Sequence, residues 1–206
     1  EGKPVIGQLN PLAQDHAGRI WAGGNDGLRV LSPGASQFQI MRHNPKRKNS
    51  LVHNTVYGLM VDRDGGLWIA TLKGVDRITP PKHLTSQVAK VLSDAELDNM
   101  SFAHISAQLG MPGRDVGGNL LQDARGRIWT DQVVMDLAQN SIYPLTSADG
   151  VDVGTAWAGA HAKTHDGLFL HGGSTGLVVM DPQKFQPWAL TPSVVATELR
   201  INGPCR

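Results

Sequence analysis

The chain spells Asp-x-x-Gly-x-(Ile/Leu)-Trp three times, and few architectures repeat such a phrase. The copies run Asp15 to Trp21, Asp62 to Trp68 and Asp123 to Trp129. A fainter copy, Asp166-Gly167-Leu168-Phe169, lacks the residue between Gly and Leu and carries Phe where the others carry Trp. Successive aromatic anchors lie 47, 61 and 40 residues apart. Periods of about 40 to 50 residues built from short strands mark β-propeller blades, each a four-stranded antiparallel sheet. The expected fold class is therefore all-β, with about four blades.

The second repeat shows the physics most clearly. Val56-Tyr-Gly-Leu-Met-Val-Asp62 suits a buried inner strand, and Asp62-Arg-Asp-Gly65 a tight turn. An Asp side chain accepts from amides two residues on, and Gly tolerates positive φ. Leu67 to Thr71 is the returning strand and Gly74 to Thr79 the third, closed by Pro80-Pro81. In the first repeat Gly27 to Ser32 is the third strand, and Pro33-Gly34 turns into an outer strand, Gln37 to Arg42. Trp21, Trp68 and Trp129 hold one equivalent position, where an indole fills the gap between twisted sheets. Recurrence in register favours packing over sugar stacking, and the repeated Asp reads as a turn-former, not an acid or base.

Units can be drawn at about 5–44, 53–107, 116–146 and 155–188, together a partial propeller over 1–188. The second is long because of an insert at 81–99. Val88, Val91, Leu92 and Leu97 stand there at near-helical spacing, which favours a short surface helix over a loop.

Composition excludes more than it identifies. The 19 basic and 18 acidic residues leave a net charge of +1, so no overall field recruits nucleic acid or an anionic membrane. No apolar run approaches the roughly 18 residues of a membrane helix. Cys205 is the single cysteine, so an internal disulfide is impossible. The chain begins at Glu1, and the expectation is a piece of a longer polypeptide.

One family matches this wording. Gly27-Leu28-Arg-Val-Leu-Ser-Pro33-Gly34-Ala-Ser-Gln-Phe38, then Asn44-Pro45 and Asn49-Ser-Leu-Val-His-Asn-Thr-Val56, closely resembles the two-component regulator propeller repeat. Leu145 to Val151 and Leu170 to Pro182 are similar to the link into that family's last blade and to the blade itself. Val194 to Gly203 resembles the first strand of the β-sandwich that follows the propeller, giving a linker at 189–206. Departures are the insert, Thr130-Asp131 in place of Gly-Thr, and Phe in place of the fourth Trp.

The resemblance implies a periplasmic sensor region of an inner-membrane signalling protein, such as a hybrid histidine kinase. It implies sensing of an oligosaccharide or other small nutrient, with membrane contact only through absent parts of the parent chain. Such rings usually carry about seven blades. An arc of four exposes an apolar face at each end. The expected partners are thus a small-molecule or oligosaccharide ligand, and either missing upstream blades or a second copy; nucleic acid is not expected.

Propellers usually bind on the face carrying the loops into each inner strand and the turns between second and third strands. Here those are Asn44–Thr55, Leu109–Gly117 and Ala148–Thr155, with Asn25-Asp26, Leu72-Lys73, Asp131-Gln132 and Ser174-Thr175. Polar groups converging there are His53, Asn54, Lys73, Arg114, Asp115, Asp131 and Asp152, a set suited to sugars or small polar ligands. The same residues are ordinary in solvated loops. Arg42-His-Asn-Pro-Lys46-Arg47-Lys48 is a local basic run able to attract an anion such as a uronic acid or sulfated sugar, or simply a solvated turn.

No catalytic, cofactor or metal site is expected. His161 and His165 are four apart but lie on strand and turn, so their rings do not converge as in zinc proteases. Asp62-Arg-Asp64-Gly65 begins like a calcium loop, yet its twelfth position is Lys73, where a bidentate Glu is needed. A ligand-binding sensor module is the first reading. Alternatives are a propeller enzyme of lyase or lactonase type, with metal at the central channel, and a protein-interaction scaffold.

Overall fold

The computed structural model describes residues 11–79 and 91–187. They form four antiparallel sheets, each built from strands consecutive in sequence. The first contains β1 (Leu12–Gln14), β2 (Ile20–Ala22), β3 (Leu28–Leu31) and β4 (Gln39–Met41). The second contains β5 (Val56–Val61), β6 (Leu67–Thr71), β7 (Gly74–Ile78) and β8 (Ala103–His104). The third contains β9 (Leu121–Gln122), β10 (Ile128–Trp129), β11 (Val133–Asp136) and β12 (Ser141–Pro144). The fourth has three strands among the described residues: β13 (Ala156–Lys163), β14 (Phe169–Gly173) and β15 (Leu177–Met180). The fold is all-β and propeller-like. The expected linker at 189–206 and the first part of the insert, with Val88, lie outside the described residues.

Within the insert, a short helix α1 (Asp94–Asp98) forms where Ser93 and Glu96 make a reciprocal capping box. Leu92 and Leu97 are buried against the first sheet, whereas Val91 is exposed. A second short helix, α2 (Ile105–Gln108), follows β8 directly.

The repeated Asp acts on four groups at once. Asp62 Oδ1 accepts from the amides of Asp64 (3.0 Å) and Gly66 (2.7 Å), fixing the turn. Its Oδ2 accepts from Trp68 Nε1 (2.7 Å) and Arg77 Nε (2.8 Å). Asp15 and Asp123 do the same for Trp21 (3.0 Å) and Trp129 (2.9 Å), with Arg19 and Arg127 as the cations. In the second sheet Gly66 occupies the position of those arginines. A Cβ there would meet Arg77 Nη2 at 2.3 Å, so the missing side chain makes room for an arginine from β7.

Each indole then enters the neighbouring sheet. Trp21 packs with Leu59, Leu67 and Ile69 of the second sheet, and Trp68 with Ile128, Val133 and Met135 of the third. Trp129 packs with Phe169, Met180 and Phe185, its ring edge-on to Phe169 at 5.7 Å. Alternation along β6 explains the division: Leu67 and Ile69 face the first sheet, Trp68 and Ala70 the third.

The fourth repeat corrects the expected alignment. In the first three turns the Asp amide bonds the carbonyl four residues on, and the Gly amide bonds the Asp carbonyl. The same pair of bonds in the fourth is Thr164 N to Leu168 O and Gly167 N to Thr164 O. Thr164, not Asp166, therefore holds the Asp position, and the spacing has no deletion. Phe169 then matches Ile20, Leu67 and Ile128, and faces the third sheet as Leu67 faces the first and Ile128 the second. The Trp position belongs to Leu170. Leu170 shares its face with Leu177 and Val179 by register, and the latter two are 63% and 55% exposed. Among the described residues that face stands open.

Candidate functional site

The inner side of the third sheet begins at a close backbone approach. A Cβ on Gly58 of β5 would lie 2.1 Å from Gly118 O, and one on Gly118 would lie 2.2 Å from the Tyr57 ring. Two glycines therefore let the segment before β9 press on β5, which brings Tyr57 beside Asp115. The Tyr57 hydroxyl donates to Asp115 Oδ1, which also accepts from the Gly117 amide at 3.0 Å. Burial, this bond and the nearby charges of Asp115 and Asp131 push the Tyr57 phenol well above its usual range, so it stays protonated and donates.

Asn119 locks the fourth sheet onto this corner. It is buried, its Nδ2 donates to Trp157 O (3.0 Å), and its Oδ1 accepts from Gly159 N (2.9 Å) and faces His161 Nδ1 (3.1 Å). The register of β13 shifts between Ala156 and His161, and Gly159 at φ +81° supports the bend. The bend carries Ala156 and Ala158 to the wall of a cleft of about 460 Å³. Tyr57, Asp115, Asp131, Gln132 and Asp152 line the same cleft.

Its electrostatics are one-sided, with three carboxylates and no Lys or Arg among the described residues that line it. Asp131 Oδ1 is 3.3 Å from the Asn119 amide and Asp152 Oδ1 3.2 Å from that of Gly154. The second oxygen of each of the three carboxylates has no hydrogen-bond partner among the described residues. Such a surface accepts hydrogen bonds from hydroxyl or ammonium groups and repels anions. Among the described residues no group of three or more His, Cys, Asp or Glu side chains is placed to hold a metal ion.

Of the seven residues expected on this face, Asp115, Asp131 and Asp152 come together in the cleft. His53, Asn54 and Lys73 stand apart from it, near the junction of the first two sheets. His53 is half-buried, and burial, with Lys73 and His43 nearby, lowers its pKa; its Nδ1 accepts from Thr55 N at 3.1 Å. Asn54 Oδ1 accepts from His43 N (2.7 Å), and Lys73 N donates to Thr71 Oγ1 (3.2 Å). Arg114 is exposed beside Asp115 and does not line the cleft. Sequence reasoning missed Tyr57, Asn119 and Gln132. The available signal was a polar-tipped aromatic in an otherwise aliphatic inner strand, with the Gly117-Gly118 pair able to approach it.

Next to the cleft, His171 is fully buried and neither ring nitrogen has a hydrogen-bond partner among the described residues. Its ring stacks near His161, with centroids 6.4 Å apart. Burial lowers its pKa to about 4, against the opposing pull of Asp131.

Residues 50–73, which contain the β5–β6 hairpin and the Asp62–Trp68 motif, match the two component regulator propeller family. The match ends before β7, so it falls on the first half of the second sheet. No curated protein gives a significant match to the chain. Among solved structures the chain is similar to the extracellular domain of the hybrid two component system BT3049 from B. thetaiotaomicron, at 21% identity and a TM-score of 0.64. The likeness covers 84% of this chain and 22% of that one, and it shows a shared fold. The extracellular domain of the hybrid two component system BT4673 from the same organism aligns at 15% identity over 89% of this chain and 30% of that one, with a TM-score of 0.44. This chain spans less than a third of either. No helix among the described residues is long and apolar enough to cross a membrane.

Proposed function

We propose that this chain is part of the periplasmic sensor region of a two-component signalling protein, and that the Tyr57 cleft binds a small, uncharged, hydroxyl-rich ligand such as an oligosaccharide. The observation that carries this reading is the convergence of Asp115, Asp131 and Asp152 beside a protonated Tyr57, with no Lys or Arg among the described lining residues. Sugar hydroxyls donate to carboxylates in charge-assisted bonds, and a cleft of about 460 Å³ suits a ligand of one or two rings. The propeller repeat in the second sheet and the likeness in fold to an extracellular domain support the assignment to a sensor region. The ligand bridges groups from the second, third and fourth sheets, so binding stiffens the arc, and other parts of the parent chain carry that change across the membrane.

Calorimetry with a panel of neutral oligosaccharides tests this reading. At least one should bind saturably, and Asp131→Asn should weaken it about tenfold, the effect of losing one charge-assisted bond. Silence across the panel, or binding that Asp131→Asn and Tyr57→Phe leave untouched, would contradict it.

The apolar ends of the arc support ring completion by further blades of the parent. Leu12 is 65% exposed at the leading end, opposite Leu177 and Val179 at the trailing end. The 22.1 kDa piece alone should pair with a second copy. Light scattering from a uniform monomer would refute that pairing.

A further inference from the structure

A second hollow of about 560 Å³ opens between the outer strand of the first sheet and the segment that follows α1. Its chemistry is opposite to that of the Tyr57 cleft. The floor is apolar, with Met41, Leu97, Met100 and Phe102 each less than a tenth exposed. The rim carries Arg42, His43 and Arg47, against the single acid Asp98. Leu97 comes from the insert and Met100 and Phe102 from the stretch that joins it to β8, so this hollow depends on the long β7–β8 connection and not on the propeller plan.

The cationic loop is held in shape by its own bonds. Asn44 N donates to Ser50 Oγ at 3.0 Å, and Ser50 Oγ donates back to Asn44 O at 3.0 Å. Phe102 N donates to Asn49 O (2.9 Å), His104 Nε2 to Lys48 O (2.6 Å) and Val52 N to Asp76 Oδ2 (2.7 Å). Arg47 Nη2 donates to Met100 O at 3.2 Å, which holds that guanidinium at the hollow. His43 Nδ1 donates to Leu51 O at 2.7 Å. Among the described residues Arg42 has only a loose pair with Asp26 at 3.4 Å, both groups more than half exposed. An exposed pair of that kind is weak and yields to a better acceptor.

We infer that this hollow binds a small organic anion of about monosaccharide size. Arg42 and Arg47 hold its anionic group, because a guanidinium fork matches a carboxylate or sulfate. Met100 and Phe102 take the apolar face of its body, and Asp98 accepts from its hydroxyls. A fixed loop spends little conformational entropy on binding, so the cations act without prior ordering. The site is independent of the Tyr57 cleft, where three carboxylates repel the same ligand.

Amide NMR titration of the 206-residue chain with glucuronate, glucose and inorganic sulfate separates the parts of this inference. Glucuronate should shift amides within 42–50 and 97–102 saturably, its uncharged twin glucose should not, and sulfate should bind more weakly. Arg42→Gln should raise the glucuronate Kd about tenfold, Arg42→Lys less, and Tyr57→Phe should leave it unchanged. The inference is overturned if glucose shifts the same amides equally, if sulfate binds as tightly as glucuronate, or if these amides stay still into the millimolar range.

Discussion

The second and fourth sheets start from the same turn and reach opposite solutions. In the second, Asp62 bonds the turn amides, the Trp68 indole and Arg77, and Trp68 is buried by the third sheet. In the fourth, the Thr164 hydroxyl bonds only the turn: its Oγ1 accepts from the Leu168 amide at 2.9 Å. No indole is there to need a carboxylate, and Leu170 faces a side that no described sheet covers. The motif is therefore one unit of acceptor, indole and guanidinium. Where the indole is lost, the carboxylate goes with it, and the turn survives on a hydroxyl.

The sharpest way to break this comparison is to remove the acceptor from each sheet. Asp62→Ala strands a buried indole N–H and a guanidinium, and should cost about 3–5 kcal/mol. Thr164→Ala loses only bonds local to an exposed turn, to the Leu168 amide and to Asp166 Oδ1, and should cost about 1 kcal/mol. Urea midpoints measure both, and similar losses would mean that the carboxylate is not the hub.

The two sheets should also answer pH with opposite sign. His171 has its pKa lowered to about 4, so the unfolded chain binds a proton that the folded one refuses. Stability is therefore lost as pH falls from 6.5 toward 4, by about 3 kcal/mol from this group, and His171→Leu should flatten that slope. His104 lies between two acceptors, Asp76 Oδ1 (2.7 Å) and Lys48 O (2.6 Å), so both ring nitrogens donate. Burial opposes its charge, but these bonds win and raise its pKa. Its contribution is complete below 6.5 and fades as pH rises through the raised value, and His104→Gln should remove that alkaline loss. Urea midpoints across pH for wild type and both variants check the signs.

Much of the fold was legible because three exact copies fix register without any knowledge of contacts. The fourth was misaligned because Asp166-Gly167 looks like the start of the turn in letters alone. Only the bonds of Thr164 show where the turn begins. In the cleft, Asp115, Asp131 and Asp152 could be read because they sit on loops whose place follows from strand order. Tyr57 could not, since its exposure depends on the backbone contact between Gly58 and Gly118, a long-range event with no periodic signature. The hollow beside α1 escaped for a similar reason: the basic run was visible, but not the apolar floor that Leu97, Met100 and Phe102 lay beneath it.

Two smaller tests refine the contrast. Gly118→Ala forces the Tyr57 ring aside and should cost about 1–3 kcal/mol while weakening any ligand of the cleft. Leu170→Trp, on the open face, should change stability by no more than about 0.5 kcal/mol, because an indole needs a neighbouring sheet to be worth anything. Denaturant titrations read both, and a large gain from Leu170→Trp would show that the face is covered after all.

The most direct test is hydrogen exchange at the indole nitrogens, followed by NMR. Trp21, Trp68 and Trp129 are at most 1% exposed and bonded to Asp15, Asp62 and Asp123, so their N–H protons should exchange only through global unfolding. Trp157, 59% exposed, should exchange quickly and serves as the internal control. Fast exchange at any of the three buried indoles would contradict the account of sheets joined by carboxylate-pinned tryptophans.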